Sequence, residues 1–191
     1  MRTEENMKKI LFVFVLLMSV LMMPTLTFAK TVAPTVVGAM EKPEVKKAEY
    51  LLPYPGVLPD HPLYALKVLR DRILDVLIVD PVRKAEFYLL QGDKRLNMSI
   101  FLVAQGKPVL AEQVVSKGEK YMMQAVNGLA TVKASGKEVP GYLMDRLEKS
   151  LAKHVEELDA LISKTNDPAK AGLSGTLETV KKIQGELAKL K

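Results

Sequence analysis

The side chains able to do chemistry in this 191-residue chain are few: two histidines, no cysteine, and serines without the glycine-flanked sharp turn that exposes a nucleophile. His154 is the most pointed of them. It falls in the middle of an apolar row at helical spacing, Leu147, Leu151, Leu158 and Leu161, and a buried imidazole must find a partner for at least one nitrogen. The spacing favours a core histidine bonded to a tyrosine or a backbone carbonyl on a neighbouring helix. The alternatives are a pH-responsive packing element, or a lone metal ligand in a site shared with Glu157 or His61. No second ligand stands one helical turn after His154, which weakens the metal reading. His61 lies between Asp60 and Pro62, where Asp60 is expected to cap a helix with Pro62 early in it. Met122 and Met123 are adjacent, so on a helix they point about 100° apart and cannot chelate together. The remaining carboxylates mostly stand near lysine or arginine at helical spacing, as Lys153 does with Glu156 and Glu157, which reads as solvated surface. The expectation is therefore no catalytic residue, no resident metal, no cofactor and no enzymatic activity.

The elements that would position these residues are helices. A first helix is expected over 62–79, burying Leu66, Leu69, Ile73, Val76 and Leu77, with Lys67, Arg70, Asp71, Arg72 and Asp75 on the other side. Asp80-Pro81 supplies a capping oxygen and a proline in the first turn for a second helix, which turns Ala85, Tyr88, Leu89, Leu96, Ile100 and Val103 inward and stops at Gly106. A third helix from Pro108 to about Lys133 follows after a short connection, with Leu110, Val114, Tyr121, Met122, Ala125, Val126 and Leu129 inward. A fourth runs from Pro140 to Lys164 and carries His154. A fifth follows Asn166-Asp167-Pro168, with Leu173, Leu177, Val180, Ile183 and Leu187 inward. Gly172, Gly175 and Gly185 each weaken that last helix by roughly 1 kcal/mol relative to alanine. No strand pattern competes, so the fold class is all-α: an antiparallel bundle of about five helices over 63–191.

Upstream, the chain changes character. Residues 1–29 have the three zones of an export signal: Lys8 and Lys9, the apolar run Ile10 to Met23, and a polar exit ending at Ala29, after which cleavage is expected. The alternative is an uncleaved N-terminal membrane anchor. Either way the protein is expected outside the cytoplasm: extracellular, periplasmic or at the cell surface. Loss of the leader removes three basic and two acidic residues, so the formal charge falls from +6 to +5. That mild, unclustered excess argues against nucleic acid, and any membrane contact is expected only through an uncleaved signal. Zero cysteines in an exported chain leave stability to an apolar core. Residues 30–49 read as a flexible linker. Residues 50–62, with Pro53, Pro55, Pro59 and Pro62, read as an extended arm too apolar to be free, which packs on the bundle or on a partner.

One run of this arm and the following helices resembles a known bacterial family. Leu52-Pro53-Tyr54-Pro55-Gly56-Val57-Leu58-Pro59-Asp60-His61-Pro62-Leu63-Tyr64-Ala65-Leu66-Lys67 is similar to its "PGILPDSPLYxLK" motif. Asp80-Pro81-Val82-Arg83-Lys84-Ala85-Glu86 is similar to its "DPEKKAELLL" helix start, and Lys94-Arg95-Leu96 to its "ERLAEA" segment. The resemblance spans about 52–132 and is to exported helical proteins known only as a domain of unknown function. It departs at Phe87-Tyr88, where that family has leucines, and at Gln91-Gly92-Asp93, where it has stronger helix formers. The resemblance implies architecture and location and no activity. The leading expectation is a non-enzymatic binding or envelope-structural protein with an unidentified protein or envelope partner. The alternatives are a ligand or metal sensor built on His154, and a basic module bound to anionic lipid or wall polymers through Lys149, Lys153, Lys164, Lys170, Lys181, Lys182, Lys189 and Lys191.

Overall fold

The computed structural model describes residues 49–191; the expected signal sequence with its expected cut after Ala29, and all but the last residue of the expected linker, lie outside the described residues. Among the described residues five helices follow one another: α1 Tyr64–Leu77, α2 Pro81–Ala104, α3 Pro108–Ala134, α4 Gly141–Ser163 and α5 Ala169–Ala188. Local chemistry sets the boundaries. The Asp80 carboxylate accepts the Arg83 N–H at 2.8 Å, and Pro81 occupies the first turn of α2 without losing a bond. α2 ends where Gly106 takes φ +74°, a left-handed conformation that a side chain disfavours, and Lys107 N–H turns back to the Leu102 carbonyl at 2.8 Å.

α2 packs on α3 and α4, and α5 packs on the same two, so four helices close a ring in which α3 and α4 stand diagonally across the interior. The inward rows meet in one core: Leu89, Leu96, Met122, Leu129, Leu143, Leu147, Leu151, Leu158, Leu173 and Ile183 are fully buried. A smaller cluster, Met98, Leu102, Ala111 and Val114, closes the end of the α2–α3 hairpin.

α1 departs from expectation. Its apolar row faces solvent: Leu66, Leu69, Ile73, Val76 and Leu77 are between 51 and 79 % exposed, while Lys67 and Asp71 are buried. The physical reason lies in what α1 meets. Tyr64, Asp71 and Asp75 confront Arg95, Lys117 and Tyr121 of α2 and α3, a surface that takes polar partners and would waste a leucine. Lys67 bridges to Asp71 at 2.8 Å one turn away, and Arg70 adds a second contact to Asp71 at 2.8 Å. Burial pulls the Lys67 ammonium below its ordinary range, and burial likewise pushes Asp71 up, but Lys67 and Arg70 more than offset this and hold it low.

Two glycines set how closely α2 and α3 approach. A side chain at Gly118 would stand 2.9 Å from the Arg95 Cβ and 3.3 Å from the Gly92 carbonyl, and one at Gly92 would meet Met122 at 2.5 Å. Gly92 belongs to the segment that departs from the family pattern, and the close crossing explains why a helix-weakening residue stands there. Gly118→Ala is expected to destabilise the fold by about 1–2 kcal/mol, because overpacking against a fixed Cβ outweighs the roughly 1 kcal/mol gained in helix propensity. Gly185→Ala, with open space around it, is expected to stabilise by up to about 1 kcal/mol. Urea unfolding of the two variants should show these opposite signs.

Candidate functional site

Three core positions, one on each of three helices, carry ionisable side chains instead of leucine. Asp93 sits between Leu89 and Leu96 on α2, Glu119 between Val115 and Met122 on α3, and His154 between Leu151 and Leu158 on α4. The close α2–α3 crossing at Gly92 and Gly118, their immediate chain neighbours, brings the two carboxylates toward the same interior point, and His154 reaches between them. Its Nδ1 lies 2.7 Å from Glu119 Oε1 and its Nε2 3.2 Å from Asp93 Oδ1. All three side chains are sealed from solvent.

Burial by itself would drive the imidazole toward its neutral form. The charge of Glu119, hydrogen bonds donated to both carboxylates and the charge of Asp93 overcome this and hold the ring at about 10, up from its ordinary 6.5. His154 is therefore an imidazolium at neutral pH with both N–H groups donating. Asp93 accepts two further bonds, from Ser150 Oγ at 2.5 Å and from the Tyr50 hydroxyl at 2.5 Å. Burial and the Asp93 charge push that phenol up to about 12, and the Arg146 guanidinium stands beside it. One oxygen of Glu119 is buried with no hydrogen-bond partner among the described residues.

Tyr50 belongs to the proline-rich arm, so the arm caps the buried cluster. Asn97 Nδ2 donates to the Pro53 carbonyl at 2.9 Å, Pro55 is buried, and Gly56 turns the chain with φ +76°. Leu58 and Tyr64 pack on the hairpin-end cluster. Pro59 and Pro62 stand at the bends between them, and Leu63 is more than half exposed. Pro55, Leu58 and Tyr64 thus anchor the arm, while Asp60, Pro62 and Leu63 are exposed. Asp60 pairs with Lys107 and caps nothing; the helix opens at Tyr64 with no side-chain cap, and His61 Nδ1 accepts the Leu63 N–H at 3.1 Å. The pairing with Lys107 holds the Asp60 carboxyl below its usual range.

Chemically, this arrangement holds three charges together in the core. Both ring nitrogens are engaged in opposite directions, so they cannot converge on a metal, and among the described residues no group of three His, Cys, Asp or Glu side chains is placed to hold one. His154 has neither a tyrosine nor a backbone carbonyl as partner. Glu157 and His61 are both elsewhere: Glu157 pairs with Lys153 at 2.8 Å, and His61 is exposed. Asp93, Glu119, Ser150, Tyr50 and Arg146 are the members that sequence reasoning missed. Met122 lies in the core and Met123 packs against it. Of the lysines weighed as a polymer-binding face, Lys149, Lys153, Lys181, Lys189 and Lys191 each stand against a carboxylate within 3 Å.

A family model described as a domain of unknown function (DUF5667) matches residues 56–168, more than half of the chain. No curated protein and no solved structure matches it.

Proposed function

Because the chain belongs to the DUF5667 family, a domain of unknown function, we propose its role from its own surface: a non-enzymatic, exported helical protein that lies on an anionic lipid surface through the outer face of α1. The arm motif from Leu52 to Lys67 and the Asp80-Pro81 helix start are proposed as this family's signature, since the first from Gly56 onward and the whole of the second fall within the matched span. The single observation behind the lipid reading is the solvent-facing row Leu66, Leu69, Ile73, Val76 and Leu77, extended by Val79. Monomeric proteins rarely expose a contiguous apolar strip without a partner for it.

The shape and charge of the strip favour lipid over protein. Fourteen helical residues span about 20 Å and present a face about 10 Å wide, a few hundred Å², well short of the about 800 Å² per partner in a stable pair. The row stands on the convex outer side of its helix. At 100° per residue Arg70 and Arg72 fall on either side of it, and both are exposed, the pattern of a helix that lies in a headgroup layer with its apolar side a few ångströms deep. No helix among the described residues is long and apolar enough to cross a membrane.

The test is cosedimentation of the chain from Lys30 onward with vesicles of phosphatidylcholine alone and with added phosphatidylglycerol. Binding is expected to both, tighter to the anionic vesicles, with the difference closing at high salt as the arginine contribution is screened. A chain that stays in the supernatant in every case overturns the reading. So does one that dimerises through this face and leaves the vesicles bare.

A further inference from the structure

Between α1 and α3 runs a cleft of about 440 Å³ whose cations and anions are unevenly matched. Its two carboxylates are engaged. Asp71 holds Lys67 and Arg70, and Asp75 accepts the Tyr88 hydroxyl at 2.8 Å with Lys84 at 3.6 Å. Its four cations, Arg72, Arg95, Lys117 and Lys120, form no ion pair among the described residues, although all four line the cleft. Arg95 is the decisive one. It is 6 % exposed, yet the only acceptors it reaches are the carbonyl and side-chain oxygens of Gln91, at 2.9 and 2.7 Å, both taken by the same Nη1. Its remaining nitrogens have no acceptor among the described residues, and its guanidinium carbon sits 4.3 Å from the centre of the Tyr121 ring.

The Arg95 nitrogens that Gln91 leaves free open on the cleft, and a planar fork of donors fits two oxygens of an oxyanion. The stacked Tyr121 ring orients the plane of the fork, and the close crossing at Gly118, where an added Cβ would stand 2.9 Å from the Arg95 Cβ, confines its base. Lys117, Lys120 and Arg72 stand at the rim on flexible stems, where they supply charge without dictating geometry.

We propose that this cleft binds the phosphate group of a ligand, with Arg95 gripping two phosphate oxygens from the floor and Lys117, Lys120 and Arg72 balancing the charge at the mouth. Four unpaired cations suit a phosphate better than a single carboxylate. The site goes beyond the lipid-surface reading, because it rests on Arg95 and not on the leucine row. The phosphate is that of a soluble ester or of a lipid headgroup.

The experiment is calorimetric titration of the full chain with inorganic phosphate at low ionic strength. One saturable site is expected, with a dissociation constant on the order of 0.1–1 mM. Lys117→Ala/Lys120→Ala, at two exposed positions, should weaken it at least ~tenfold, and Arg95→Gln should abolish it. Should Arg95→Gln fail to fold, the lysine pair still decides. Leu66→Gln/Ile73→Gln should bind phosphate as the parent does, which separates failure of this site from failure of the lipid reading. Competition identifies the source: phosphate that releases the chain from phosphatidylglycerol vesicles marks a headgroup site, and phosphate that binds without releasing it marks a site for a soluble ester. Absence of saturable binding, or binding undiminished in the lysine variant, overturns the proposal.

Discussion

Replacing His154 with leucine is expected to destabilise the protein by about 3–5 kcal/mol, although the change puts an apolar residue into an apolar row. The reason lies in what remains. Asp93 and Glu119 would stay sealed in the core with no counter-charge between them, and one Glu119 oxygen already has no partner among the described residues. Removing one partner of a buried charge cluster costs far more than removing the cluster, because the survivors keep their desolvation penalty and lose its compensation. The triple variant Asp93→Leu/Glu119→Met/His154→Leu should therefore recover most of the loss. Its residual deficit comes from the Ser150 and Tyr50 hydroxyls, which lose their acceptor. Urea denaturation at neutral pH measures both variants, and a single variant as stable as the parent would contradict the charge assignment.

The same cluster gives the stability a pH dependence of definite sign. His154 is held at about 10 in the folded protein, above its ordinary 6.5. A group whose folded value is raised contributes fully below the unfolded value and loses that contribution as pH rises through the folded one. Stability from this residue is thus complete below about pH 6.5 and falls away toward about pH 10. The decline across that window should be present in the parent and missing from His154→Leu. An imidazolium held at about 10 keeps its proton through the physiological range, and we propose the cluster as a fixed support.

The second large effect is expected at the surface. Leu66→Gln/Ile73→Gln should weaken binding to anionic vesicles by about two orders of magnitude, since each side chain loses on the order of 1–2 kcal/mol of apolar burial in the headgroup layer. Both positions are more than half exposed, so the urea midpoint should move little, within about 0.5 kcal/mol. That pairing is diagnostic: a leucine row serving the fold would lose stability, and one serving an external surface loses only binding. Vesicle affinity that survives the double change would remove α1 as the contact element.

All five helices, and the inward faces of four, were legible from spacing alone. Leu143, Leu147, Leu151, Leu158 and Leu161 on α4, and Leu173 to Leu187 on α5, are buried as their periodicity implies, because a row of that length has no cheaper place to go. The capping of α2 by Asp80 and its end at Gly106 were legible too, being set by atoms within a few residues. The partners of His154 were half legible: Asp93 and Glu119 interrupt the apolar rows of their own helices at core positions, and three such interruptions of complementary charge invite one another. What periodicity lacks is the rotation and height of each helix in the ring, which decide whether the three meet.

By itself, then, the chain determined which segments become helices and that each has one apolar side, since backbone preference and side-chain spacing act over a few residues. Only the tertiary structure decided which apolar sides are covered. The wall that α2 and α3 present to α1 is made of Arg95, Lys117 and Tyr121, so α1 turned Lys67 and Asp71 inward and left its leucines outside. Burial depends on the surface that an element meets, and residues distant in the chain compose that surface.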